Sequence, residues 1–231
     1  IGEETVVLMK NADNILPLAD VRNISVFGKA AENPFYAGGG SGTAAGYYPD
    51  EMYTSIYASL EAAGYNVNPA LRALYEREAA AQALEGSSFS YSVVGDQIQY
   101  SGNRAQIADV DPAKFTGSVL DSYNRYNDAA IIVLGRTGSE GGDKDMGRSR
   151  EAFIAQDLLT LSVSGATQEE LDARRALLEN ALDTDPAFAA AALRHGLVLT
   201  YEEEQLIQHV TANFDKVIVI LNVPQQLELA W

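Results

Sequence analysis

The chain of 231 residues contains no cysteine. Thiol nucleophiles, disulfides and thiolate metal sites are therefore excluded. Basic residues are scarce: 16 Lys and Arg stand against 32 Asp and Glu, a formal net charge of −16. That sign disfavours nucleic acid and anionic membrane surfaces, which recruit clustered Lys and Arg; its ordinary consequence is solubility. No apolar run approaches the roughly 20 residues that a membrane-spanning helix requires. Histidine occurs twice, at His195 and His209. Each reads as a surface or capping residue, and no Ser-His-Asp arrangement is suggested. The opening residues, Ile1-Gly2-Glu3-Glu4, show neither an initiator Met nor a signal-peptide pattern. The chain is expected to be a piece of a longer protein.

What is present is an ordinary globular balance, 47% hydrophobic and 21% charged, sufficient for a sizeable core. Two aliphatic runs predict buried strands: Ala129 to Leu134 and Val217 to Leu221. The first is apolar on both faces, as a central parallel strand is. Ile24 to Phe27 predicts a third strand ending at Gly28, and Tyr65 to Asn68 a short fourth. Between them lie helical patterns. Tyr53, Ile56, Tyr57 and Leu60 make one apolar face of a helix starting near Asp50. Pro69 opens another that runs to about Leu84. Further helices are predicted over 3–10, 117–126, 150–161, 167–182, 186–194, 201–213 and from Leu227. Thr167 with Glu170 and Thr200 with Glu203 are capping-box pairs. Residues 86–115 read as a surface excursion with a hairpin about Val94-Gly95-Asp96-Gln97. The alternation of strand and helix predicts an α/β fold. Its core is a mostly parallel, doubly wound sheet in a three-layer αβα sandwich, one domain over 1–231 with a helical insertion at 150–196.

Ligands of open parallel sheets bind beyond the carboxyl ends of the strands. Two glycine-rich loops lie at such ends, and glycine lets backbone approach a ligand closely. The first carries Gly38-Gly39-Gly40-Ser41-Gly42. The GxGxxA pattern within it stands about a dozen residues beyond Gly28, too far for a dinucleotide fingerprint, and no Walker lysine follows. The second, Gly135 to Asp143, frames Glu140 with glycines and also offers Arg136, Ser139, Asp143, Lys144 and Asp145. On composition these are solvated loop charges. Two nearby carboxylates also suit acid/base chemistry or a hard cation, although a calcium loop would place oxygen ligands at alternate positions.

These pieces together resemble the C-terminal α/β sandwich domain of glycoside hydrolase family 3, the β-glucosidase and β-xylosidase family. The opening Val6-Val7-Leu8-Met9-Lys10-Asn11 with Leu16-Pro17-Leu18 is similar to the family's VLLKN…LPL, and Ile24-Ser25-Val26-Phe27-Gly28 to its first strand. The GGGSG loop has its counterpart, and GRTGSEGGD resembles GRxSGEGxD. Phe214 to Asn222 with Glu228 and Trp231 resembles FDKVIVVLN…ELSW. The matching pieces stand in the family's order and frame the whole chain, whereas the middle and the 150–196 stretch match no family motif. One departure is visible: the family's Ser-Gly-Glu order is Gly138-Ser139-Glu140 here.

The resemblance implies half of a retaining glycosidase site. A carboxylate nucleophile would stand on a separate (β/α)8 barrel of the parent protein. The acid/base residue, which in many members reaches across from the sandwich domain, falls on Glu140. Gly39, Gly40, Ser41 and Gly42 would line the rim as sugar-binding groups, with Arg136 and Asp143 in the second loop. Arg136 would hold a carboxylate across the interface and Asp143 would anchor its loop. No metal and no cofactor is implied. No barrel of eight βα units fits in 231 residues beside this domain, so the chain alone is expected to be inactive. Two other readings stand beside this one: a non-catalytic domain that binds carbohydrate or only packs on a barrel, and a nucleotide-binding α/β domain. The insertion at 150–196 is open to two roles, shaping an aglycone site or making a homo-oligomer contact.

Overall fold

The computed structural model describes residues 6–36, 53–82, 89–102, 109–136, 138, 146–224 and 226–229. Four strands form the central sheet: β1 (Asn23–Phe27), β2 (Asn66–Val67), β5 (Ala129–Gly135) and β6 (Val217–Asn222). Their order is β2-β1-β5-β6, and every pairing among them is parallel. β5 is central and buried at all seven positions, as its unbroken aliphatic run requires.

Side-chain alternation along β5 divides the core in two. Ala130, Ile132 and Leu134 join Phe27, Tyr75, Phe115 and Phe214 on one face. That face is covered by α2 (Pro69–Gln82), α3 (Ser118–Ser122) and α7 (Tyr201–Asn213). Ala129, Ile131 and Val133 join Ile24, Val26 and Tyr57 on the other, beneath α1 (Ile56–Ala62). Each large apolar side chain taken from water contributes roughly 1.5–3 kcal/mol, so both faces must be covered.

Three further helices, α4 (Arg150–Val163), α5 (Gln168–Thr184) and α6 (Pro186–Leu193), occupy the predicted insertion. They have a core of their own, with Phe153, Ile154, Leu178, Leu182 and Phe188 buried. A hairpin of β3 (Ser90–Val94) and β4 (Gln97–Ser101) packs on this cluster. Tyr91 and Tyr100 lie against Phe188, and the Tyr91 hydroxyl donates to Asp157 at 2.6 Å. The hairpin turn was expected; its partner was not. Within the segment read as a surface excursion, the hairpin covers the α4–α6 cluster, while Val110 and Phe115 are buried in the sheet core.

Three other expectations need correction. Residues 6–10 are not helical: Val6 and Val7 are 82% and 75% exposed, so no buried face supports a helix there. α1 starts at Ile56 rather than near Asp50, because the Ser55 side chain caps it by accepting from the Ala58 amide. The described residues 226–229 are not helical either; the Glu228 amide donates instead to the Leu197 carbonyl at 2.8 Å.

β1 ends in a close approach that only glycine permits. Gly28 has φ +99°, and a Cβ there would stand 2.1 Å from the Val133 carbonyl oxygen. Gly28→Ala is expected to destabilise the chain by more than about 4 kcal/mol. Urea unfolding measures this; a midpoint equal to that of the unsubstituted chain would show that β1 and β5 do not meet as described.

Candidate functional site

The strand order places a topological switch between β1 and β5. The chain leaves β1 towards β2 on one side and later returns to β5 on the other. In open parallel sheets the ligand crevice lies at such a point, outside the carboxyl ends. Both glycine-rich loops depart from this pair. Gly39, Gly40, Ser41 and Gly42 of the first, and Glu140 and Asp143 of the second, lie outside the described residues. The anchors of both loops are described, and they converge.

Beyond Gly28 the chain makes a 3-10 turn, Lys29–Ala31, and reaches Phe35 and Tyr36. The Phe35 ring packs directly on the backbone of Gly135, the last residue of β5; a Cβ at Gly135 would be 2.6 Å from that ring. Asn222, at the end of β6, clamps the arrangement. Its Oδ1 accepts from the Phe35 amide at 2.6 Å, and its Nδ2 donates to the Phe35 carbonyl at 3.2 Å. Its own carbonyl accepts from the Arg136 amide at 3.0 Å. One asparagine thus joins the exits of both loops. The far end of the first loop returns to the same place: the Tyr36 hydroxyl accepts from the Thr54 amide at 2.9 Å and donates to the Thr54 carbonyl. The second loop returns through Gly147 and Arg148, whose amide donates to the Leu193 carbonyl at 3.1 Å.

Arg136 was offered by sequence as a sugar-binding side chain. The structure gives it a different partner. It is 0% exposed, and its guanidinium forms a two-pronged pair with Glu203, Nη1 to Oε1 at 2.5 Å and Nη2 to Oε2 at 2.7 Å. It also donates to the Gly135 and Val198 carbonyls at 2.7 and 3.0 Å. The carboxylate it holds is therefore within the chain. Glu203, likewise 0% exposed, is the residue of the predicted capping box. Its Oε2 accepts from the Thr200 amide at 2.9 Å while the Thr200 hydroxyl accepts from the Glu203 amide.

Asp109 is a second buried carboxyl near this end of the sheet. Desolvation raises its pKa from 3.8 to about 7, and the nearby Glu203 charge adds to the rise. The amides of Val110, at 2.6 Å, and of Lys29 donate to it and oppose the shift. The two histidines are held by neighbours. His195 Nε2 is 3.3 Å from Glu228. His209 lies edge-on to Phe115 and 3.2 Å from the Tyr123 hydroxyl, with its pKa lowered by burial. Among the described residues, no three carboxylate or imidazole side chains are grouped as metal ligands, and no helix is long and apolar enough to cross a membrane. An open cleft of about 600 Å³ is formed by the hairpin turn and the α4–α5 turn, with Asp96, Ser164 and Arg174 in its lining, not by the ends of β1 and β5.

Sequence reasoning did not foresee the parts played by Asn222, Phe35, Glu203 and Asp109. Asn222 and Glu203 stood inside recognised patterns, a strand end and a capping box. Phe35 and Asp109 carried no local signal, since each acts through contacts distant in sequence.

A parallel sheet covered on both faces, with the anchors of two loops joined at its switch point, defines an α/β sandwich domain. The pattern of the glycosyl hydrolase family 3 C-terminal domain matches residues 6–231, and the chain belongs to that family. It is similar to β-glucosidase A of Butyrivibrio fibrisolvens, 24% identical over 99% of this chain and 22% of that protein. A probable β-glucosidase I of Neosartorya fischeri is 53% identical over 55 residues, 24% of this chain and 7% of the other. Among solved structures, β-glucosidase 3B of Thermotoga neapolitana in complex with glycerol matches with a TM-score of 0.58 at 22% identity. That match covers 99% of this chain and 24% of that one. A β-glucosidase of Paenibacillus barengoltzii matches with a TM-score of 0.55 at 20% identity, covering 97% of this chain and 18% of its own. These likenesses establish the fold, and the chain spans about a fifth of the length of such relatives.

Two measurements probe the rim. Asn222→Ala removes two hydrogen bonds at the junction of the loops and is expected to cost about 1–3 kcal/mol, read as a shifted urea midpoint with an unchanged slope. Asp109 predicts a pH dependence. Its folded pKa, about 7, exceeds its unfolded value of 3.8. Its contribution is therefore fully present below the unfolded value, is lost as pH rises towards 7, and levels off above. The span is on the order of 4 kcal/mol at 1.36 kcal/mol per unit. Asp109→Asn should flatten that part of the profile and be more stable than the parent chain at pH 8. Parallel profiles for the two proteins would contradict the assignment.

Proposed function

We propose that this chain is the sandwich domain of a retaining β-glycosidase acting on terminal β-linked sugars, with Glu140 as its acid/base residue. The observation that carries the reading is the joint anchoring of the two glycine-rich loops at the β1–β5 switch point, in a chain whose family membership extends over residues 6–231. Relatives named β-glucosidases support the substrate class.

A retaining reaction needs two carboxyl groups about 5–5.5 Å apart, one attacking the anomeric carbon and one protonating the leaving oxygen. The nucleophile would come from a (β/α)8 barrel in the parent protein, with the sugar seated between the two modules. Glu140 protonates the glycosidic oxygen, then draws a proton from the water that releases the sugar. Desolvation and the neighbouring nucleophile's charge keep it protonated for the first step. The amides of Gly39, Gly40 and Gly42 and the Ser41 hydroxyl donate to sugar hydroxyls, and Asp143 anchors the second loop. Glycines flanking the acid let its backbone adjust between the two steps.

In the complete protein, Glu140→Gln should lower turnover of substrates with poor leaving groups by about 10²–10⁴-fold. Substrates with good leaving groups should be spared, and added azide should restore part of the rate. Unchanged turnover removes Glu140 from the mechanism and leaves the packing role. The separate chain should not turn over an aryl β-glucoside; clear hydrolysis by it would overturn the half-site reading.

A further inference from the structure

We propose that Glu203 is a positioning residue for the candidate acid, acting through Arg136 to fix where the Glu140 segment leaves the sheet. The inference rests on the function proposed above and deepens it. Arg136 is the first residue beyond β5, and Glu140 follows it by four residues, a reach of at most about 14 Å of extended chain. The direction in which the chain leaves the sheet is therefore set at Arg136, four residues before the acid.

The backbone at Arg136 is held from three directions. Its amide is tied to Asn222 at the end of β6. Its guanidinium returns to the Gly135 carbonyl and reaches the Val198 carbonyl before α7. The two-pronged pair with Glu203 then locks the plane of the guanidinium to the first turn of α7. Glu203 is itself immobilised, since the same oxygen that meets Arg136 Nη2 also caps α7 through Thr200. A planar fork on a carboxylate fixes direction as well as distance, which a lysine would not.

The pair is poorly suited to stability alone. A buried ion pair is commonly matched or bettered by apolar residues of similar volume. Here, moreover, Arg136 Nε is buried without a hydrogen-bond partner among the described residues, a further cost. An arrangement that is costly in stability and specific in direction, four residues before the acid, fits a positioning role.

The test uses the complete enzyme and two variants. Glu203→Gln keeps the shape and removes the charge. The double substitution Arg136→Met with Glu203→Leu removes both charges and keeps the volume, so it remains folded if the single variant does not. Each is assayed on an alkyl β-glucoside and on a 2,4-dinitrophenyl β-glucoside, with Tm recorded. A displaced acid should lower kcat on the alkyl substrate about 10–100-fold, with KM within about twofold and the dinitrophenyl rate nearly unchanged, because that leaving group needs no proton. Glu204→Gln, at the neighbouring half-buried position paired with Arg194, should leave both rates unchanged. An equal loss on both substrates, or no loss in the apolar double variant, overturns the proposal. Glu140→Gln run alongside separates the cases: if it too leaves the alkyl rate intact, the acid assignment has failed rather than the positioning.

Discussion

Everything at the candidate site depends on β5 being hydrogen-bonded in parallel on both edges and buried on both faces. A strand held in that way cannot slip by one residue without turning Ile132 and Ile131 to opposite cores. Its C-terminal end is therefore a fixed point in space, and Gly135 and Arg136 inherit that fixity. β1 is pressed against the same strand at Gly28, so the exit of the first loop is referenced to the second. The anchors of both loops are held because the core below them is, which is the usual division between scaffold and functional loops.

The family and the fold were legible for a physical reason. Ala129 to Leu134 and Val217 to Leu221 announce strands because burial on two faces demands uninterrupted apolar residues. Capping pairs such as Thr167 with Glu170 announce helix starts because both partners are local. Local signals failed where a distant contact decided the outcome. Acidic residues suggested a helix near the N-terminus, but Val6 to Met9 find nothing to pack against. Residues after Leu227 suggested another, yet the Glu228 amide is engaged by Leu197 and its carboxylate by His195. The hairpin turn at Gly95 and Asp96 was visible, whereas the aromatic cluster under Tyr91 and Tyr100 was not, because Phe153 and Phe188 lie far along the chain.

The same distinction applies at the site. Arg136 was noticed for its charge and its place in a motif, and a guanidinium beside glycines suggests a ligand contact. What charge and place do not disclose is that α7 brings a carboxylate to it from 67 residues away. Glu203 was read as a cap and is one; its second oxygen contact was invisible. Buried polar residues with two loyalties are poorly signalled by sequence, since each visible role suffices to explain them. The family assignment, by contrast, needs only the order of short patterns, and it therefore survives where individual roles change.

The closure of the first loop at its base by Tyr36 and Thr54 has a consequence for how such domains diversify. The two ends of that loop are already tied together by the contact between Tyr36 and Thr54. Lengthening that stretch twofold would add only about 0.6 kcal/mol of closure entropy. New lengths and compositions can accumulate there with almost no penalty to folding. The clasp thus separates variation in the length of that stretch from the inheritance of the fold.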